Sequence, residues 1–432
     1  MLTDGDGAHH FRTLVAPGTA AATRIWVVGD TSTGGAGARA VRDAYLDFAA
    51  GAAPDLWMML GDNAYTNGTD AQYQRGPFDV YQPLLTTSVL WPTLGNHDGL
   101  SADSATQSGP YYDIFSLPAA GQAGGVASGT EAYYSFDVGR THIVCLESYE
   151  TNRSPSGVML TWLAADLAAR HADWAIAFWH HPPYSKGSHD SDVESELVQM
   201  RQNALPVLEA GGVDLVLSGH SHAYERSLLL DGHYGVSSTL QASMIRDGGD
   251  GAVENDGPYA KPVAGLSAHA GTVYVVAGSG AQTGGGALDH PAMVRSLNVL
   301  GSLLLDVVGN TLSVRFLSDT GAVRDAFTIT KGAVPTPLAS GVITYYRNGG
   351  AVPGVALTAS WRWQRDRGCA PCARSAARGM RWCASTRPAS ASRSPAAARS
   401  MASASCSRAK ERRQSSRARA STRRRRPSSE GR

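Results

Sequence analysis

The sequence predicts an α/β protein followed by a basic tail. Short apolar runs recur through residue 222, each ending in a polar cluster, and patterns with helical spacing lie between several of them. After about residue 270 the texture changes to consecutive strand-like stretches joined by turns. Those three observations carry the fold class.

The runs are RIWVVGD (24–30), LWMMLGD (56–62), WPTLGNHD (91–98), THIVCLES (141–148), WAIAFWHH (174–181) and VDLVLSGHSH (213–222). Unbroken apolar stretches of this length fit strands covered on both faces, not half-wet alternating ones. In 157–171, Met159, Leu160, Leu163 and Leu167 share one face of a predicted helix. A second helix is predicted over 192–210, with acids near its start as the helix dipole favours and with Pro206 kinking or splitting it. From 272 to 331 the GN and DTG turns predict an antiparallel succession of strands.

Charge separates the chain into two pieces. The net charge of +1 averages a front part of −16 and a tail, 361–432, of +17, in which 19 Arg and one Lys face Asp366, Glu411 and Glu430. Of five cysteines only Cys145 precedes the tail, inside an apolar run where a buried thiol acts as a small hydrophobe. A disulfide framework for the front part is thereby excluded. No run approaches the eighteen or so apolar residues of a membrane span, and no signal peptide is visible at the N-terminus.

Five of the six run ends carry residues with metal-binding chemistry: Asp30; Asp62 with Tyr65; Asn96 with His97 and Asp98; His180 with His181; His220 with His222. In open α/β sheets ligands collect outside the carboxyl ends of strands. Mixed oxygen and imidazole donors favour zinc, iron or manganese over magnesium or calcium. The donors are too many for one ion, and a carboxylate such as Asp62 can bridge two ions about 3.5–4 Å apart. Taken singly, Asp30 and Asp62 are also ordinary turn formers or helix caps, and His220 with His222 an ordinary hydrogen-bonded pair. Their number and order outweigh those readings.

GD (29–30), GDNAY (61–65), GNHD (95–98), FWHH (178–181) and GHSH (219–222) resemble the five motif blocks of the calcineurin-like metallophosphoesterases, and the tyrosine of the second block resembles their purple acid phosphatase branch. The resemblance spans roughly 24–330. It implies a four-layer α/β/β/α sandwich of two mixed sheets and a dinuclear centre. Asp30, Asp62, Tyr65 and His222 would hold the first ion, with Asp62 bridging; Asn96, His180 and His220 would complete the second. Tyr65 as a phenolate would favour Fe(III), with Fe(II), Zn(II) or Mn(II) at the second position. His97 would touch the phosphate or protonate the leaving group, Asp98 would orient His97, and His189 would stand on the substrate side. His181 would either shape the pocket or touch the site directly. The activity implied is hydrolysis of a small phosphate ester, phosphatase-like, by a metal-activated hydroxide; a phosphodiesterase acting on nucleotides or lipids is the alternative. The family's first block usually reads Asp-x-Gly, whereas Asp30-Thr31-Ser32 stands here, so a special backbone angle at Ser32 would be less comfortable than at glycine. The resemblance also implies a secreted or periplasmic location.

The domain reading has four parts. Residues 1–22 resemble the remnant of an N-terminal Fn3-like domain and its linker, and the catalytic domain runs over 23–332. Residues 333–360 form a linker and the start of a possible β-sandwich repeat, and 361–432 are an Arg/Ser/Ala-rich tail expected to be disordered. The tail is either a basic arm for nucleic acid or another polyanion, which would make this a polyanion-binding protein, or a frameshifted translation of GC-rich sequence. Cys369 and Cys372 stand in a C-x-x-C spacing with no second pair beside them, a weak zinc signal.

Overall fold

The computed structural model describes residues 13–332 except 171, together with two backbone pairs, Tyr346–Arg347 and Gly350–Ala351, that form a short antiparallel ladder. The expectations for 1–12, for most of 333–360 and for the tail lie outside the described residues.

In chain order the strands are β1 (Thr23–Val28), β2 (Leu56–Met59), β3 (Leu90–Pro92), β4 (Tyr134–Val138), β5 (Thr141–Cys145), β6 (Trp174–Trp179), β7 (Leu215–Ser218) and β8 (Tyr224–Ser227). There follow β9 (Leu229–Leu230), β10 (Ile245–Asp247), β11 (Tyr259–Lys261), β12 (Val273–Ala277), β13 (Met293–Leu297), β14 (Gly301–Val308), β15 (Thr311–Ser318) and β16 (Val323–Lys331). One seven-stranded sheet has the order β11-β16-β15-β14-β1-β2-β3, and the other β13-β8-β12-β7-β6-β5-β4; β9 and β10 pair separately. Both sheets are mixed. The first runs β1, β2 and β3 parallel, and the second runs β5, β6, β7 and β12 parallel. The antiparallel succession predicted after residue 270 is found from Gly301 onward, as β14-β15-β16; β12 and β13, in the same stretch, join the second sheet instead, β12 parallel to β7.

Double coverage explains the unbroken apolar runs. Along β1, Ile25 and Val27 enter a core with Leu56, Met58 and residues of the second sheet. Trp26 and Val28 point the other way, with Trp57 and Met59, onto Val41 and Tyr45 of the helix Ala36–Phe48. Trp26 stacks on Tyr45 at 4.7 Å between ring centroids and donates its indole N–H to Ser302. Losing so large a buried ring typically costs about 3–5 kcal/mol. The layers are therefore helix, sheet, sheet, helix, with Val158–Ala168 among the helices beside the second sheet; its Met159, Leu160, Leu163 and Leu167 are all buried. The stretch 192–210 is split: Ser195–Gln199, a wider π-type turn over Met200–Ala204, then Leu205–Ala210 with Pro206 in its first turn, where no intrahelical N–H is needed. Cys145 is buried and free, and burial pushes its thiol up to about 12.

Register decides where the loops depart. Val28 pairs with Met59, and Met59 with Pro92; on the other sheet Trp179 pairs with Ser218, and Ser218 with Val276. The parallel strands of each sheet thus end level, and their loops leave from one edge. Near the start of β7, Asp214 receives Lys261 from β11 and Lys331 from β16 at 2.6 Å each, an ionic clamp between the sheets in which all three residues are buried.

A second buried ion network ties β4 and β5 to the helix Val158–Ala168. His142 Nδ1 lies 2.8 Å from Asp137 and Nε2 2.7 Å from Asp166. Both nitrogens face carboxylates and must donate, so the ring is an imidazolium. Burial opposes that charge, but the hydrogen bonds to Asp137 and Asp166 win and raise the pKa above its ordinary 6.5. A raised folded value places the stabilisation below the unfolded pKa and removes it as pH climbs through the folded one. Thermal denaturation of the parent and His142→Gln should therefore differ most at about pH 6 and below, and progressively less as the pH climbs above the ordinary imidazole value. A melting gap that stays constant across that range would contradict the imidazolium.

Candidate metal centre

The strand-end loops turn sharply as they leave the sheets. Asp30 (φ 53°), Asp62 (φ 51°) and His220 (φ 64°) all adopt left-handed backbone angles, each immediately after a glycine that follows a strand. Non-glycine residues in this region are uncommon and cluster where surrounding structure forces them. The expectation of backbone difficulty at Ser32 is corrected: the unusual angle belongs to Asp30, and Ser32 is buried without a positive φ. A β-carbon at Gly76 would come within 2.8 Å of the Ser32 β-carbon, so the room for Ser32 is made by that glycine.

The loops bring the predicted donors together as two nests. In one, Tyr65 Oη lies 3.1 Å from Asp30 Oδ1 and 3.2 Å from His222 Nε2, which is itself 3.5 Å from Asp30 Oδ1. In the other, Asn96 Oδ1 lies 3.0 Å from both His180 Nε2 and His220 Nδ1, which are 3.2 Å apart. Asp62 stands between: its Oδ1 is 3.4 Å from His180 Nε2, and Asp30, Asp62 and His180 offer ligand atoms within 4.8 Å of one another. The second nest has a telling polarity. His180 Nδ1 faces the Leu60 carbonyl at 2.8 Å and must donate to it; His220 Nε2 faces the Glu194 carboxylate at 3.4 Å and must donate as well. In the neutral rings, the remaining nitrogens and the Asn96 oxygen then turn lone pairs on one another, an arrangement that repels unless a cation lies among them. The donor set fits a pair of metal ions.

Electrostatics agree. Burial would raise the Asp62 carboxyl, but His180 and His97 beside it hold it well below the carboxylate range. Burial would lower His180, yet Asp62 raises it to about 9, a proton serving there the need that a cation would serve. Burial, together with the Asp30 and Asp62 carboxylates, holds the Tyr65 phenol well above its usual range, so its ionisation requires a cation alongside. Burial brings His220 down to about 4 and keeps it neutral, as a ligand must be.

Four further residues behave differently from one another. His97 donates from Nδ1 to the Thr66 carbonyl at 2.6 Å, packs against the Tyr65 ring, and turns Nε2 toward Asp62 Oδ2 at 3.8 Å. His189 lies at the site, its ring centroid 3.7 Å from that of His220. Asp98 does not orient His97. It is wholly buried and accepts hydrogen bonds from the backbone amides of Asn63, Ala64 and Gly95, the Asn63 side chain and the Tyr73 hydroxyl, so it pins the 61–65 loop to the 95–98 loop. Burial and the nearby Asp62 push its carboxyl up to about 6 despite those donors. His181 is buried away from solvent with Nδ1 on the Ser148 hydroxyl, and burial together with His220 drives its pKa well below the ordinary value.

Sequence reasoning missed two contributors. Glu194 sits against His189 and His220, and Gln282 Nε2 reaches His222 Nε2 at 3.4 Å. Glu194 was legible only as one of the acids near a helix start, and nothing near Gln282 signals the site. The tightest packing in the site is at Gly95, where a β-carbon would lie 2.1 Å from the Asp62 backbone nitrogen and 2.2 Å from its Oδ1. Gly95→Ala should therefore destabilise by about 1–3 kcal/mol and displace Asp62, with elemental analysis showing fewer bound metal ions per chain. Full metal stoichiometry and an unchanged melting temperature would contradict that packing.

The comparisons with known proteins bear on the family and the fold. Residues 23–224 match the family model of the calcineurin-like phosphoesterases. Among curated proteins, purple acid phosphatase 15 of Arabidopsis thaliana is 32% identical over 247 residues, covering 51% of this chain and 44% of that protein. Purple acid phosphatase 22 of the same plant is 39% identical over 186 residues, covering 40% of this chain and 39% of that protein. The chain thus spans less than half the length of these relatives. The structure of a purple acid phosphatase isolated from yellow lupin (Lupinus luteus) seeds superposes with a TM-score of 0.53 at 18% identity, covering 75% of this chain and 56% of that one, which shows the shared fold. Sequence match, shared fold and motif order point the same way: residues 23–224, a little under half of this chain, are similar to the calcineurin-like phosphoesterases.

Proposed function

We propose that this protein hydrolyses small phosphate esters, as an acid-phosphatase-like phosphomonoesterase, using two metal ions. The observation that carries the reading is the pair of three-donor nests joined by the Asp62 carboxylate. Asp30, Tyr65 and His222 would hold one ion, Asn96, His180 and His220 the other, and Asp62 both. A phenolate with carboxylates suits Fe(III); imidazoles with an amide oxygen suit Fe(II), Zn(II) or Mn(II). Bound there, two cations would neutralise the ester's phosphoryl oxygens and make water acidic enough to supply a nucleophile near neutral pH.

The chain's own residues supply the rest. His97 has Nδ1–H committed to the Thr66 carbonyl, so Nε2 is the atom on the site side. In the imidazolium form Nε2–H donates its proton to the departing alkoxide oxygen, and the product leaves as a neutral alcohol. His189 has Nδ1–H committed to Glu194, and in the imidazolium form its Nε2–H can donate to a phosphoryl oxygen. Asp98 keeps the Asn63 and Gly95 backbones in place, so Asp62 and Asn96 hold their separation while substrates come and go. Among the described residues no helix is long and apolar enough to cross a membrane.

The test is direct. The full chain loaded with metal should hydrolyse p-nitrophenyl phosphate faster than its bis-ester, lose the activity to a chelator, and contain two ions per chain. Asp62→Asn should reduce turnover by roughly 100-fold or more and lower metal content. If the first ion is Fe(III), Tyr65→Phe should abolish the visible charge-transfer band. Undiminished hydrolysis by Asp62→Asn in the presence of chelator would overturn the reading.

A further inference from the structure

We propose that Glu194 is the positioning residue of this centre, a single carboxylate that sets both which nitrogen His220 presents inward and where His189 aims; this rests on the two-ion reading above. Its Oε2 lies 2.9 Å from His189 Nδ1 and 3.4 Å from His220 Nε2, while Oε1 lies 3.1 Å from His189 Nδ1. The carboxylate is itself held, because the Asp190 backbone amide donates to Oε1 at 2.9 Å. A carboxylate only accepts, so each histidine must carry its proton on the nitrogen facing Glu194.

The consequence differs for the two rings. With Nε2–H committed outward, His220 is left with Nδ1 as its lone pair, and Nδ1 is the atom beside Asn96 Oδ1 and His180 Nε2. Carboxylate–histidine–metal relays of this kind fix tautomer and ring orientation and raise the basicity of the ligand. His189, packed against His220 with the two rings tilted by 35°, has Nε2 as its remaining polar atom, and one shared acceptor keeps the two rings in a constant relation.

Position along the chain strengthens the inference. Glu194 occupies the N-cap of the helix Ser195–Gln199 but makes no side-chain capping hydrogen bond to it. An acid at that position ordinarily turns back to the helix's own free amides. Here the side chain turns to the two histidines, and the first turn of the helix goes without that cap.

The experiment uses the full chain and compares Glu194→Ala, Glu194→Gln and His189→Ala. Its readouts are Zn(II) titration in competition with a chelator, kcat and KM on p-nitrophenyl phosphate, and melting of the metal-free protein. Glu194→Ala should weaken the second Zn(II) roughly 10–100-fold and leave the first unchanged. Its KM should rise as in His189→Ala, and the double variant should have a KM no higher than His189→Ala alone. Glu194→Gln, which retains one accepting oxygen, should recover part of the Zn(II) affinity. Unchanged affinity for both ions in Glu194→Ala would overturn the proposal. So would equal weakening of both together with a lower melting temperature of the metal-free protein, which marks a general lesion, and so would additive KM effects. If even the parent hydrolyses no ester while the Zn(II) shifts occur as stated, the phosphatase reading fails and the positioning role stands.

Discussion

A carboxylate with almost no access to water, at the meeting edge of two sheets, is the constraint on which the rest of this structure depends. Asp62 is 1% exposed. Desolvation alone would neutralise it, and an unpaired buried charge is among the most unfavourable things a fold can contain. Its surroundings supply positive potential from two directions, the backbone N–H of His97 and the ring of His180. Kept ionised at that edge, the Asp62 carboxylate stands with Asp30 and His180 as a negatively charged donor group within reach of a single cation.

Holding that arrangement falls to parts that never touch a reacting atom. Level strand ends deliver the loops to one edge, and the Asp98 carboxylate locks two of those loops together with hydrogen bonds from both. Glycines at 61 and 95 let the His180 ring and the Asp62 backbone approach more closely than any β-carbon would permit. Three of the seven left-handed non-glycine angles among the described residues fall on groups proposed as ligands, Asp30, Asp62 and His220, and are tolerated because the sheets beneath are packed on both faces. Near the other end of β7, the clamp of Lys261 and Lys331 on Asp214 ties the sheets to each other.

Much of the centre was legible before any coordinates. Each proposed ligand follows a run of apolar residues, and that pairing of a buried anchor with a polar tip is a local pattern. What escaped was orientation. Asp98 reads as a partner for its neighbour His97, but a residue in the short helix Asn96–Gly99 need not face the residue beside it, and its carboxylate turns inward to Asn63 and Tyr73. Glu194 reads as a helix-start acid, which its position bears out, yet its side chain is recruited by histidines that approach from another strand end. Ser32 reads as a backbone difficulty because the family pattern prefers glycine there; the space it needs comes from Gly76, forty-four positions later.

Period and composition by themselves determined the α/β class, the buried strands, the helix after Gly157, the division near Pro206 and the set of residues able to bind metal, because burial on both faces and ligand chemistry are properties of side chains taken in order. Only the tertiary structure decided which nitrogen of each histidine faces inward, which carboxylate holds a loop and which steers a ring. Those choices depend on angles between groups brought together from distant positions, and a one-dimensional pattern carries distance along the chain but no direction in space.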